Sequence, residues 1–186
     1  MNSSVRTRRF SIEEFHRMAE VGVLKEEDRV ELIDGEIIPM TPIGPEHAAC
    51  VDWLTRLLIQ RVPADIVVHV QNPFQFPHHI ALYPDLALLR PPTDRYRNRS
   101  PRPEDVLLVI EVSDTSLERD RAAKIPRYAE AGVPEVWLVD LSRQEVLIFR
   151  DPSGGQYRNS STASGRASLS PAHLPNLAIQ VEEIFS

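Results

Sequence analysis

The chain has 186 residues, 42% of them hydrophobic and 26% charged, which suits one domain over residues 1–186 and argues against wholesale disorder. Its 21 basic and 27 acidic residues leave a formal charge of -6, which excludes a protein that coats nucleic acid through overall positive charge. No apolar run reaches the roughly 18 residues of a membrane span, and Met1 to Phe10 leads into no apolar signal segment. The lone Cys50 excludes an internal disulfide and a thiolate zinc site, so a cytoplasmic protein with no membrane partner is the expectation.

The N-terminal third reads as helix, hairpin, helix. Ser11 with Glu14 is a capping-box pair, and Ile12, Phe15, Met18 and Ala19 share one helical face. Two apolar runs then flank Asp34-Gly35, a strong signal for a type I′ hairpin. A second helix follows from about Glu46 to Val62, with Ala49, Trp53, Leu54, Leu57 and Leu58 in helical period. The middle third reads as sheet: Ile66 to Val70, Tyr83 to Leu89, and the nearly all-apolar Val106 to Val112, a central strand covered on both faces. A helix is expected from about Ser116 to Ala131, capped by Thr115 with Glu118 and stopped by Gly132. Pro126 falls inside it, removes the hydrogen bond to Ala122, and should kink or break it. Strands at Glu135–Asp140 and Glu145–Phe149 complete a mixed sheet, because strand, helix, strand with short links implies a parallel crossover. Asp151 to Ser170 is rich in Ser, Gly and Thr and reads as surface loop, after which Leu174, Leu177, Ile179, Val181, Ile184 and Phe185 re-dock the C-terminus.

Two acids sit where a core would not place them. Asp85 lies in an otherwise apolar strand, and Glu111 lies between Ile110 and Val112 near the end of the central one. A buried, unpaired carboxylate costs several kcal/mol, so each needs a cation, a donor cluster or a metal. On neighbouring strands the two carboxylates can converge on one hard cation, since magnesium takes one or two carboxylates with waters and phosphate oxygens. Only Lys25 and Lys124 among the 21 basic residues are lysines, and Lys124 follows Glu111 on the next helix. Chance accounts equally well for a Pro84-Asp85 pair in a chain with 16 prolines, and Asp120 and Lys124 have the spacing of a surface ion pair. His78-His79 offers metal ligands without a third nearby, and His47 opens the second helix as a cap, a packing residue or a site residue. Trp53 and Trp137 read as core. Arg90 to Arg102 carries five arginines and Tyr96, a loop suited either to phosphate contacts or to solvent.

In this order, Asp85, Glu111 and Lys124 resemble the PD-(D/E)XK nucleases, the restriction-endonuclease-like superfamily. The wider pattern is similar to its Uma-two family of bacterial endonucleases. The resembling segments are Glu31-Leu-Ile-Asp-Gly-Glu, Pro45-Glu-His47, Tyr83-Pro-Asp, Ile110-Glu-Val-Ser-Asp-Thr-Ser, Asp120-Arg-Ala-Ala-Lys124 and Tyr128 through Asp140. They extend over about residues 29 to 185, and Val109 to Asp140 is the most specific stretch.

The resemblance implies a restriction-endonuclease-like α/β fold, a central mixed β-sheet flanked by helices with an N-terminal helix and hairpin. It implies a phosphodiester hydrolase dependent on Mg²⁺ or Mn²⁺, acting on nucleic acid and foremost on DNA. Asp85 and Glu111 would hold the metal with the Val112 carbonyl, and Lys124 would orient the attacking water or neutralise charge on the phosphate. Glu31 would be an auxiliary acid, and Gln71 would touch water or substrate. The superfamily's usual lysine, two residues after the acid, is Ser113 here. Alternatives are a catalytically silent binding or regulatory protein on the same fold and a hydrolase of RNA or nucleotides. A homodimer is expected, since cutting both strands of a duplex uses two active sites.

Overall fold

The computed structural model describes residues 8–25, 27–76, 80–91, 96–115 and 117–186, with Gln75 described by its backbone alone. In chain order the elements are α1 (Ile12–Glu20), β1 (Val30–Ile33), β2 (Glu36–Pro39), α2 (Pro45–Arg61), β3 (Val67–Val70), β4 (Phe74–Phe76), β5 (Ile80–Leu82), β6 (Leu86–Leu89) and β7 (Val106–Ser113). They continue as α3 (Leu117–Ala123), α4 (Ile125–Glu130), β8 (Glu135–Asp140), β9 (Glu145–Ser153), β10 (Gln156–Ser164), β11 (Ser168–Leu169), β12 (Ile179–Gln180) and α5 (Val181–Ile184).

The apolar run expected to be central is central. All eight residues of β7 are buried, in a six-stranded sheet ordered β10-β9-β8-β7-β6-β3. Only β7 and β8 pair in parallel, the crossover that α3 and α4 make; every other pairing in this sheet is antiparallel. Side chains alternate along a strand, so β7 sends Leu108, Ile110 and Val112 to one face and Val109 to the other. The first face carries α2, through Leu54 and Leu58, and the C-terminal residues Leu177, Ile179, Val181 and Ile184. Leu54 is wholly buried there, and truncating it to alanine would cost about 2–5 kcal/mol. The second face takes Tyr128 of α4 and a four-stranded sheet ordered β2-β1-β5-β4. Glu111 belongs, by alternation, to this second face.

Three local features place the site. The β1–β2 hairpin turns at Asp34 and Gly35 with φ of 53° and 77°, the two left-handed residues of a type I′ turn. A Cβ on Gly35 would come within 2.7 Å of Arg9 Cβ, so glycine is required there. Arg127 of α4 clasps this turn, pairing its guanidinium with Asp34. The expected long helix is broken into α3 and α4 at Lys124, one residue before Ile125-Pro126. The Ala122 carbonyl that Pro126 cannot serve accepts instead from Arg127 Nη1, at 3.3 Å.

One expectation fails. Asp151 to Ser170 is not loop: β9 runs on to Ser153 and pairs with the nine-residue β10 from Gln156 to Ser164. An edge strand exposed on both sides shows no alternation, so its Ser- and Thr-rich composition hides it. Two lesser corrections concern side chains. Asp85 precedes β6 rather than lying within it, and Trp53 is half-buried, its indole donating to the Glu183 carbonyl at 2.5 Å, whereas Trp137 is core. Among the described residues no helix is long and apolar enough to cross a membrane.

Candidate active site

Asp85, Glu111 and Lys124 line one cavity of about 140 Å³, together with Glu31, His47 and Val112. The β-sheet sets the first two. Leu86 opposes Ile110 in the β6–β7 ladder, so Asp85 just before β6 stands beside the Glu111–Val112 end of β7. Asp85 Oδ2 accepts from the Val112 backbone N–H at 2.9 Å and lies 3.1 Å from His47 Nε2. Gln71, held in the left-handed region at φ 47°, donates its backbone N–H to the Asp85 carbonyl at 3.1 Å and its side-chain amide to Oδ1 at 3.4 Å. It therefore abuts the Asp85 carboxylate. Within a strand the N–H and C=O of one residue leave from the same edge, so the Val112 carbonyl faces the Asp85 side too. The next carbonyl, Ser113, points the other way and accepts from Leu141 N at 2.9 Å.

Lys124 is not a surface ion pair with solvent around it. Its ammonium lies 3.1 Å from Glu31 Oε1 and 3.3 Å from Glu111 Oε2, with only 11% of its side chain exposed. The helix break puts Lys124 at the cap of α4, whose axis carries Tyr128 one turn on, and both side chains reach Glu111. The Tyr128 hydroxyl, wholly buried, donates to Glu111 Oε1 at 2.5 Å. Glu31 comes from β1, where Tyr83 N also donates to its Oε1 at 2.9 Å. Ser113, in the position the superfamily pattern gives to lysine, donates its hydroxyl to Asp120 Oδ2 at 3.1 Å and ties the end of β7 to α3.

The electrostatics follow from crowding charges in a dry place. Burial pushes the Glu111 carboxyl up to about 8; the Lys124 ammonium opposes this, while the charges of Asp85 and Glu31 add to it. Burial alone would lower Lys124, yet Glu111 and Glu31 outweigh it and hold the ammonium charged, above its ordinary value. The hydrogen bond to Asp85 raises His47 against its own desolvation. Three carboxyl groups thus face one ammonium and one imidazole, a cluster of hard oxygen donors in which crowding favours a proton on Glu111 until a cation takes its place. Among the described residues no three His, Cys, Asp or Glu side chains form a ready-made ligand cluster. Magnesium needs no such trio, since one or two carboxylates with waters suffice, and the Asp85–Glu111 pair fits that chemistry.

With this geometry in hand, the comparisons decide the family. A family model described as "Uma2: Putative restriction endonuclease" matches residues 12–182. The chain belongs to the Uma2 family. A crystal structure titled as "a putative nuclease belonging to DUF820", from Anabaena variabilis, superposes with a TM-score of 0.74 at 19% identity, over 95% of this chain and 97% of that one. At that identity the likeness establishes the fold, a restriction-endonuclease-like mixed sheet flanked by helices. No curated protein matches.

The sequence reading assigns Tyr128 no role and leaves His47 open between cap, packing residue and site residue. Tyr128 carried a signal, being four residues beyond Lys124 and so on the same face. His47 carried none that selects Asp85, because the contact spans 38 positions between α2 and the β6 edge. Of the other candidates, His78, His79 and Arg95 lie outside the described residues. Within the arginine loop, Arg99 forks onto Asp105 at 2.5 and 3.0 Å and stacks over Tyr96, which commits it internally.

Proposed function

We propose that this chain is a divalent-metal-dependent phosphodiester hydrolase that cleaves DNA. The observation that carries the reading is the convergence of Asp85, Glu111 and Lys124, from three separate elements, on one cavity rich in carboxyl oxygens. A Mg²⁺ or Mn²⁺ ion would supply Lewis acidity to the phosphate and a water of lowered pKa. Asp85 and Glu111, with the Val112 carbonyl, are the groups that would hold it. His47 and the Val112 N–H fix the Asp85 carboxylate, leaving Oδ1 to the weaker Gln71 contact. Tyr128 fixes the far oxygen of Glu111. Lys124, braced by Glu31, presents a compact positive charge where negative charge grows on the phosphate oxygens. Glu31 in this reading anchors the lysine.

The test is direct. Purified protein is incubated with supercoiled plasmid, single-stranded DNA and RNA in Mg²⁺, in Mn²⁺ and in EDTA. Metal-dependent nicking of plasmid, lost in Asp85→Ala, is the expected result. Cleavage of RNA alone would move the substrate class, and no cleavage of any substrate would favour a silent binding protein.

A further inference from the structure

The cavity lined by Asp85, Glu111 and Lys124 adjoins two others. A cavity of about 350 Å³ shares Arg29, Met40, Tyr83 and Asp85 with it. Another of about 440 Å³ shares Glu31, Arg119, Asp120 and Lys124 with it. Arg29 therefore lines the junction with the first of these cavities and Arg119 the junction with the second.

Both side chains are exposed, and neither has a carboxylate partner among the described residues, in a chain where acids outnumber bases. Arg119 is nonetheless held in place, because its Nη2 donates to the Pro39 carbonyl at 3.0 Å. Four of its five N–H donors remain for a ligand. Arg29 is set by its backbone, whose carbonyl accepts from Met40 N at 2.8 Å. Its charge is close enough to His47 to oppose that imidazole's protonation. A floor built of carboxyl groups offers an anionic chain little attraction, so a substrate with several phosphates needs fixed cations on the rim. The guanidinium fork is the side chain suited to phosphate.

We propose that Arg29 and Arg119 bind the phosphates on either side of the scissile phosphodiester, so that the groove takes one extended nucleic-acid backbone. This rests on the nuclease reading above. The two arginines supply grip and register, while the chemistry belongs to the buried carboxylates and Lys124.

The experiment measures binding of a short fluorescein-labelled DNA single strand, and of its duplex, across a KCl series in Ca²⁺. The proteins are wild type, Arg29→Gln, Arg119→Gln, the double variant, and Arg158→Gln on the exposed face of β10 as control. Each groove variant should flatten the slope of log K against log salt by about 0.9 on duplex or about 0.7 on single strand, and the control should leave it unchanged. In cleavage assays KM should rise with kcat within about twofold, the mark of lost uniform binding. Circular dichroism melts confirm folding, and a merely structural role would move the melt without moving the slope. Wild type that cleaves while the double variant keeps both slope and KM overturns the proposal and leaves the nuclease reading intact. Wild type that cleaves nothing, with slopes that still flatten, upholds the phosphate contacts and sinks the nuclease reading. Wild type that binds neither DNA overturns both.

Discussion

Replacing Lys124 by alanine separates a surface ion pair from a buried catalytic cation. An exposed pair would lose at most about 1 kcal/mol. Here the ammonium sits 3.1 Å from Glu31 and 3.3 Å from Glu111, all three nearly excluded from water. At an effective dielectric near 20, the contact with the Glu31 carboxylate is worth roughly 5 kcal/mol of gross Coulomb energy, most of it spent against desolvation. Removing one partner of a buried pair typically costs about 3–5 kcal/mol, because a charge is stranded. With the Glu111 carboxyl standing near 8, Glu31 is the one charge chiefly stranded at neutral pH, so the low end applies, about 3 kcal/mol. Urea denaturation measures this loss. Single-turnover plasmid cleavage should fall at least about 100-fold, or roughly 2.7 kcal/mol of transition-state stabilisation. Lys124→Arg should rescue poorly, since a planar fork cannot reproduce a point charge seated on two carboxylates. A Lys124→Ala protein within about 1 kcal/mol of wild type and equally active would refute the buried-cation reasoning.

Metal should stabilise the fold through Asp85: Mn²⁺ at 100 times its Kd adds about 2.7 kcal/mol, or roughly 5–10 °C in the melt of a chain this size, and Asp85→Ala should show no such shift. Metal-free stability should fall as pH rises from about 4.5 to about 8, because folded Glu111 keeps a proton that the unfolded chain has released; Glu111→Gln should remove that slope in urea melts, and an unchanged slope would contradict the raised carboxyl. Tyr128→Phe leaves Glu111 Oε1 short of a donor, so Mn²⁺ affinity by calorimetry should drop about 10–100-fold with Lys124 still present; equal affinities would reduce Tyr128 to packing.

Much of this was legible in the chain because local chemistry and global fold agree. The Asp34-Gly35 turn, the Ser11–Glu14 capping box, the all-apolar β7 and the break at Pro126 each follow from a few neighbouring residues, and each stands in the structure. Asp85, Glu111 and Lys124 were legible as residue types in an order, although spacing alone fitted Lys124 to Asp120 equally well, and Glu31 entered only through the family resemblance. What stayed hidden depends on packing across the sheet. β10 has no buried face to give it a period, and the His47–Asp85 contact exists only once α2 crosses the end of β6. The arginine loop was ambiguous for a related reason, since the pairing of Arg99 with Asp105 is invisible until the turn at Pro103–Asp105 brings the two together.

The central claim is that Asp85 and Glu111 hold one divalent ion within reach of Lys124. An anomalous-difference map from crystals grown with Mn²⁺ tests it most directly. A single strong peak within coordinating reach of both the Asp85 and Glu111 carboxylates is the expected result. A peak elsewhere on the chain, with Asp85 and Glu111 keeping their present partners and no ion between them, would contradict it.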